Sequence, residues 1–272
     1  MGCANTRNHA EERTIEAESV KTGFEHHSAA AIANIIRTHS TAKFILSAHF
    51  NAIKRELRLN AKPEDQELLN ALYARLSSTE SGDRACVLAA YPRITEAELV
   101  KETLIREEEL TVLAVLLSCS SPKDKAVALF RAFDDGLGGT LTESTVNELF
   151  RVAFKEALDD LPLLQRHVGD DVKKHLEKAQ LNRSKGLAAA VSAAFAGKKT
   201  AAVTVKDFSD AVANHLEGQL TTAGGLRSFA VDQSVPEAKP TETAKPTTAE
   251  TSKAAEQPAE SKLAPASEVK QA

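Results

Sequence analysis

Apolar residues recur at helical spacing over most of residues 28–230, and no series of alternating segments of the kind that builds a large sheet interrupts them. In 40–58, Leu46, Phe50, Ile53 and Leu57 step by four, three and four, which lines one helix face. Pro63 suits the first position of a following helix, in which Leu68, Leu72 and Leu76 repeat every four residues. Ser121-Pro122 reads as an N-cap with Pro at the first helical position, followed by Val127 and Phe130 on one face. Val146, Leu149 or Phe150, and Ala153 continue the pattern after a Gly-rich break. Further helices are expected over 171–181, 185–195 and 205–216, the last with Phe208, Val212 and Leu216. Composition agrees. Trp is absent and aromatics are ten Phe and two Tyr, so the core draws on Leu, Ile, Val and Ala, and Ala and Leu favour helices. The fold class expected is all-α.

The ends differ from this body. Residues 231–272 hold five of the nine prolines and no aromatic residue, and a segment of that kind cannot bury enough apolar surface to offset its ordering entropy. It is expected to be a disordered tail. Residues 1–27 read as a lipid anchor with a flexible acidic spacer, leaving 28–230 as the helical body in one or two lobes.

The chain opens MGCANT, which matches an N-myristoylation signal, with Gly2 as acceptor and Thr6 at the favoured hydroxyl position. Cys3 is placed for S-palmitoylation. One myristoyl chain binds bilayers only marginally, so stable anchoring needs a second signal. In residues 2–30 the charges are Arg7, Arg13 and Lys21 against five glutamates, which is no polybasic patch, and palmitate on Cys3 is the second signal expected. This start resembles the dual-acylation signal of Src-type kinases and G-protein α subunits, over six residues only. No secretory apolar region follows Met1 and no stretch has the roughly 18–20 apolar residues of a membrane span. The longest, 110–117 (LTVLAVLL), has the length of a buried helix. A peripheral location on the cytosolic face of a membrane follows as the expectation.

Other chemistry is sparse. A net charge of −4 gives no basic surplus for nucleic acid. Three cysteines without short spacing exclude a disulfide framework and a zinc ribbon. Cys86 and Cys119, in apolar surroundings, read as small buried hydrophobes. His26, His27, His39 and His49 read as solvated helix or linker residues, and His167 and His175 lack the spacing of a metal-binding pair. Glu107, Glu108 and Glu109 read as a solvated helix face. No cofactor and no catalytic residue are expected.

Three segments share a pattern: ITEAEL at 94–99, LTESTV at 141–146 and VTVKDF at 203–208. Each is an aliphatic residue, then Thr placed to cap a helix, with Glu98 or Asp207 three residues after the Thr in two of them. The second has more context. A helix with Phe130 and Phe133 runs into residues 134–145 and then a second helix. This resembles an EF-hand, a helix, a twelve-residue loop and a helix. Asp134 falls at the first loop position, Gly139 at the sixth and Leu141 at the eighth, where paired loops touch. The third copy fits with a loop at 196–207 and Val203 eighth. The first fits mainly in its exit, with Ile94 eighth and Glu98 twelfth. The resemblance implies paired helix–loop–helix units.

The departures bear on function. Calcium takes six to eight oxygens, including side chains at the first, third and fifth positions and a bidentate Glu at the twelfth. Here Gly136 and Gly138 stand third and fifth, Thr145 stands twelfth, and Thr140 offers only its carbonyl. In the third copy Ala196, Lys198 and Thr200 take the side-chain positions; in the first, Val87, Ala89 and Tyr91, with Pro92 in place of Gly. No metal is expected. The expectation is a membrane-anchored, calcium-independent EF-hand-like adaptor or scaffold for a protein partner. The alternatives are a calcium sensor with a non-standard loop and an enzyme of a class no motif names.

Overall fold

The computed structural model describes residues 21–59, 62–78, 80–165, 169–196, 198 and 201–233, all within one compact unit. The chain is mostly helical. Its first half contains α1 (Ala29–His39), α2 (Ser47–Glu56), α3 (Gln66–Arg75), α4 (Ser81–Ala90), the single turn α5 (Glu96–Leu99) and α6 (Glu107–Leu117). The second half contains α7 (Pro122–Phe133), α8 (Glu143–Lys155), α9 (Asp170–Leu181), α10 (Arg183–Ala194), α11 (Val205–Asn214) and α12 (Ala223–Asp232). Gly2 and Cys3, and the tail from residue 234 onward, lie outside the described residues.

Among the described residues, five very short strands punctuate the helices, and each leads into one. In the first half β1 (Phe44–Ile45), β2 (Ser77–Ser78) and β3 (Leu104–Arg106) form a sheet in the order β1-β3-β2, with Ile45 opposite Ile105 and Ser77 also opposite Ile105. In the second half β4 (Thr140–Thr142) pairs antiparallel with β5 (Ala202–Thr204), with Leu141 directly opposite Val203. These are the two residues that the repeat placed at matching loop positions.

Capping chemistry sets where the helices start. Ser121 accepts a hydrogen bond from the Asp124 amide at 3.2 Å, with Pro122 at the first position of α7. Thr142 accepts from the Thr145 amide at 3.3 Å and Thr204 from the Asp207 amide at 3.2 Å, so both Thr residues end a strand and begin a helix. Thr95 and Glu98 form a reciprocal capping box on α5. All three repeated Thr residues therefore cap helices. Only two of them, Thr142 and Thr204, end a strand.

The first repeat differs. Residues 81–90 are helix α4, so no twelve-residue loop precedes Ile94. Ile94 packs in a small satellite cluster with Val87 and Leu99, and the strand in this part of the chain is β3. The α3 stripe also shifts: Leu69, Leu72 and Leu76 are buried and Leu68 is half-buried. A separate 3₁₀ turn over Pro63–Asp65 delays α3 to Gln66, and spacings of three and four serve a helix as well as two fours. The last expected helix stops at Asn214, where a 3₁₀ segment, His215–Thr221, takes over.

α6 is the hub of the core. Leu110, Val112, Leu113, Ala114 and Val115 are all fully buried, the pattern of a helix apolar on every side. One cluster extends from Phe24 through α6 to Phe130, Phe150, Phe208 and Phe229. The packed body thus starts earlier than residue 28: Thr22 and Phe24, within the stretch expected as spacer, are buried.

Candidate functional site

The loop over 134–145 leaves α7 at Asp134. Its carboxylate is already used: one oxygen accepts from the Gly138 amide at 3.0 Å and the other from the Gly139 amide at 2.9 Å. Gly139 has φ +68°, a left-handed turn that glycine adopts without strain. Gly136 and Gly138 supply no side-chain oxygen. Thr140 enters β4 opposite Thr204, and Leu141 is buried against the core. Thr145 spends its hydroxyl on the Thr142 hydroxyl, at 2.9 Å. Asp135 forms an ion pair with Lys43.

The partner loop, ending at Asp207, is closed by an internal cation. Lys198 Nζ donates to one Asp207 oxygen at 2.7 Å, and the Thr204 hydroxyl donates to the other at 3.0 Å. The Lys198 ammonium, with the Thr204 hydroxyl second, holds the Asp207 carboxyl below its usual range. An ammonium therefore stands against the terminal carboxylate. Among the described residues, no group of three His, Cys, Asp or Glu side chains is arranged to hold a metal ion.

Several expectations are corrected. Cys86 and Cys119 are exposed, not buried. On α4 it is Val87 that turns inward, and the adjacent position lies about 100° away around the helix; Cys119 lies in the connection just past α6. Glu107, Glu108 and Glu109 are not a solvated face. Glu109 is buried, burial raises the Glu108 carboxyl above its usual value, and Glu107 accepts from the Ser40 hydroxyl at 2.6 Å. Of the histidines, His26 is exposed as expected, His27 Nε2 is 2.6 Å from the Leu57 carbonyl and His39 Nε2 is 3.0 Å from Glu56, while His167 lies outside the described residues.

One constellation has no counterpart in the sequence reading. Lys155, at the end of α8, lies 2.8 Å from Asp160, 3.3 Å from Glu109 and 3.5 Å from Glu156. Arg75, from α3, donates to Asp160 at 2.6 Å. Glu156 and Asp160 are both fully buried, and Glu156 Oε2 has no partner. Burial drives the Glu156 carboxyl well above its usual value, against the pull of Lys155, while the facing carboxylates outweigh burial and raise Lys155. A π-helical turn over Glu156–Asp160 brings these residues together. The sequence signal was only Lys155-Glu156 and Asp159-Asp160 at the end of an amphipathic helix, which surface helices also show. The cluster ties α3, α6 and the turn after α8 together.

Comparison with protein-family models, with curated proteins and with solved structures returns no match for this chain.

Proposed function

We propose that this chain is an acyl-anchored adaptor or scaffold with EF-hand-like helix–loop–helix units. In this reading it is held at the cytosolic face of a membrane through Gly2 and Cys3 and binds a protein partner without calcium. The observation that carries the calcium-independent part is the state of the two loops joined at Leu141 and Val203. Asp134 spends both oxygens on loop amides, and Asp207 holds the Lys198 ammonium. A cation entering either loop would have to compete with those bonds and find further oxygens: Gly136 and Gly138 supply no side-chain oxygen, and Thr145 lacks the two oxygens of a carboxylate. The MGCANT start supports the anchor. Among the described residues, no helix is long and apolar enough to cross a membrane.

Calorimetric titration of the full chain with millimolar calcium is expected to give no binding heat. A near-stoichiometric exothermic or endothermic site would overturn the calcium-independent reading. For the anchor, Gly2→Ala is expected to move the protein from the membrane pellet to the soluble fraction of cells that acylate it, and a variant that stays in the pellet would refute acyl anchoring.

A further inference from the structure

The segment carrying Gly2 and Cys3 enters the described body at Lys21 and Thr22. Thr22 is buried and lines a cleft of about 340 Å³ together with Asn51, Lys54, Arg55, Gln66 and Tyr73. Among the described residues, two cations line this cleft and no carboxylate does. Gly23, at φ +93°, lies against Leu59, just past the end of α2, which fixes the entering chain beside the last turn of that helix. Arg58 follows in the same turn and is exposed.

The cations of this face are available. Among the described residues, neither Lys54 nor Arg55 nor Arg58 forms an ion pair. Lys54 Nζ lies 5.0 Å from the centre of the Phe50 ring, and Arg55 Nε donates to the Asn51 carbonyl at 3.3 Å. Two acids border this face: Glu56 lies 3.0 Å from His39, and Glu25 accepts from the Thr22 hydroxyl at 3.1 Å and the Gly23 amide at 3.0 Å. Lys54 and Arg55 lie in the last turn of α2, where cations also complement the helix dipole. That accounts for their position and leaves their charge exposed to a partner.

We infer that this face, carrying Lys54, Arg55 and Arg58 at the root of the acylated segment, is the surface laid against the anionic phospholipid headgroups of the membrane. The inference rests on the acyl-anchor reading and supplies what the linear sequence lacks. Residues 2–30 are net acidic, but the fold brings three cations of α2 and its exit beside the point where that segment joins the body. Guanidinium groups match phosphate oxygens with two parallel hydrogen bonds and an ammonium matches them as a point charge. The acyl chain and the patch then act as two linked contacts, the first raising the effective concentration of the second. Each cation near an anionic surface strengthens binding about five-fold, an effect that salt screens.

The test uses the full acylated chain sedimented with vesicles of phosphatidylcholine alone and of phosphatidylcholine with phosphatidylserine. The native chain is expected to bind the anionic vesicles more tightly. Arg55→Gln with Arg58→Gln should remove about 25-fold of that gain, and Lys54→Gln added to them about five-fold more, while binding to phosphatidylcholine alone stays unchanged. The double variant leaves the Lys54–Phe50 contact intact, so it separates charge from packing. Arg55→Lys with Arg58→Lys should keep the gain. Lys173→Gln with Lys174→Gln, on α9, should also keep it. If the native chain shows no gain with phosphatidylserine, if the glutamine variants retain it, or if the α9 variant loses it equally, the inference is wrong. Failure of the anchor reading shows separately, as native-like binding of Gly2→Ala to phosphatidylcholine alone; the gain of the same chains on adding phosphatidylserine still decides the patch.

Discussion

Replacing Lys155 by Met is expected to lower the unfolding free energy by about 3–5 kcal/mol, the range for breaking a buried ion pair by removing one partner. The ammonium touches carboxylates from two elements. Glu109 comes from α6, and Glu156 and Asp160 come from the turn after α8. Without the ammonium, Asp160 retains Arg75, while Glu109 and Glu156 lose the cation they face. The methionine fills most of the volume, which keeps the effect electrostatic. Because the pKa of Lys155 is raised on folding, its contribution is full below the ordinary lysine value, near 10.4, and is lost as pH rises through the folded value. Urea midpoints at pH 7 therefore read the whole effect. A loss below about 1 kcal/mol, the level of an exposed pair, would mean that water already screens this cluster.

That cluster shows what the sequence withholds. A helical period reports which residues face inward, and α7, α8 and α11 were legible from it because their stripes are long and their starts are marked by Thr or Ser-Pro, while α6 was legible only as an apolar run of buried-helix length. The Leu141–Val203 contact was legible too, since the same aliphatic-Thr pattern marks both strands. The strands of the first half were not, because two or three residues are too few for alternation to show. Lys155 with its three carboxylates depends on a π-helical turn and on α3 and α6 arriving from elsewhere in the chain, and no local pattern encodes that. Ile94 misled for the converse reason. Its Thr-capped helix start is real, but such a cap marks any helix, and the chain before it is helix α4, not a loop. The loop chemistry was half legible. The missing side-chain oxygens at Gly136 and Gly138 and the missing carboxylate at Thr145 could be read off directly, while the use of Asp134 by loop amides and of Asp207 by Lys198 could not.

The junction between the two second-half helix–loop–helix units is where the other large effect is expected. Phe208, in the first turn of α11, is fully buried, with its ring 5.6 Å from Phe130 of α7 and 6.1 Å from Phe150 of α8. Phe208→Ala removes apolar surface from that cluster and leaves a cavity between α7, α8 and α11. A loss of about 3–5 kcal/mol follows from the general cost of truncating a buried Phe, and for a body of this size each kcal/mol shifts the melting midpoint by about 2–4 °C. Phe195, half-buried at the end of α10, provides the comparison, and Phe195→Ala should cost clearly less. The location of the damage is as informative as its size. Amide exchange at Leu141 and Val203 should speed up in Phe208→Ala more than exchange in α6, because those strands are held together by the helices that Phe208 joins. Uniform loss of protection across the body, with Leu141 and Val203 no worse than Val112, would show instead that the two units and α6 open as one cooperative block.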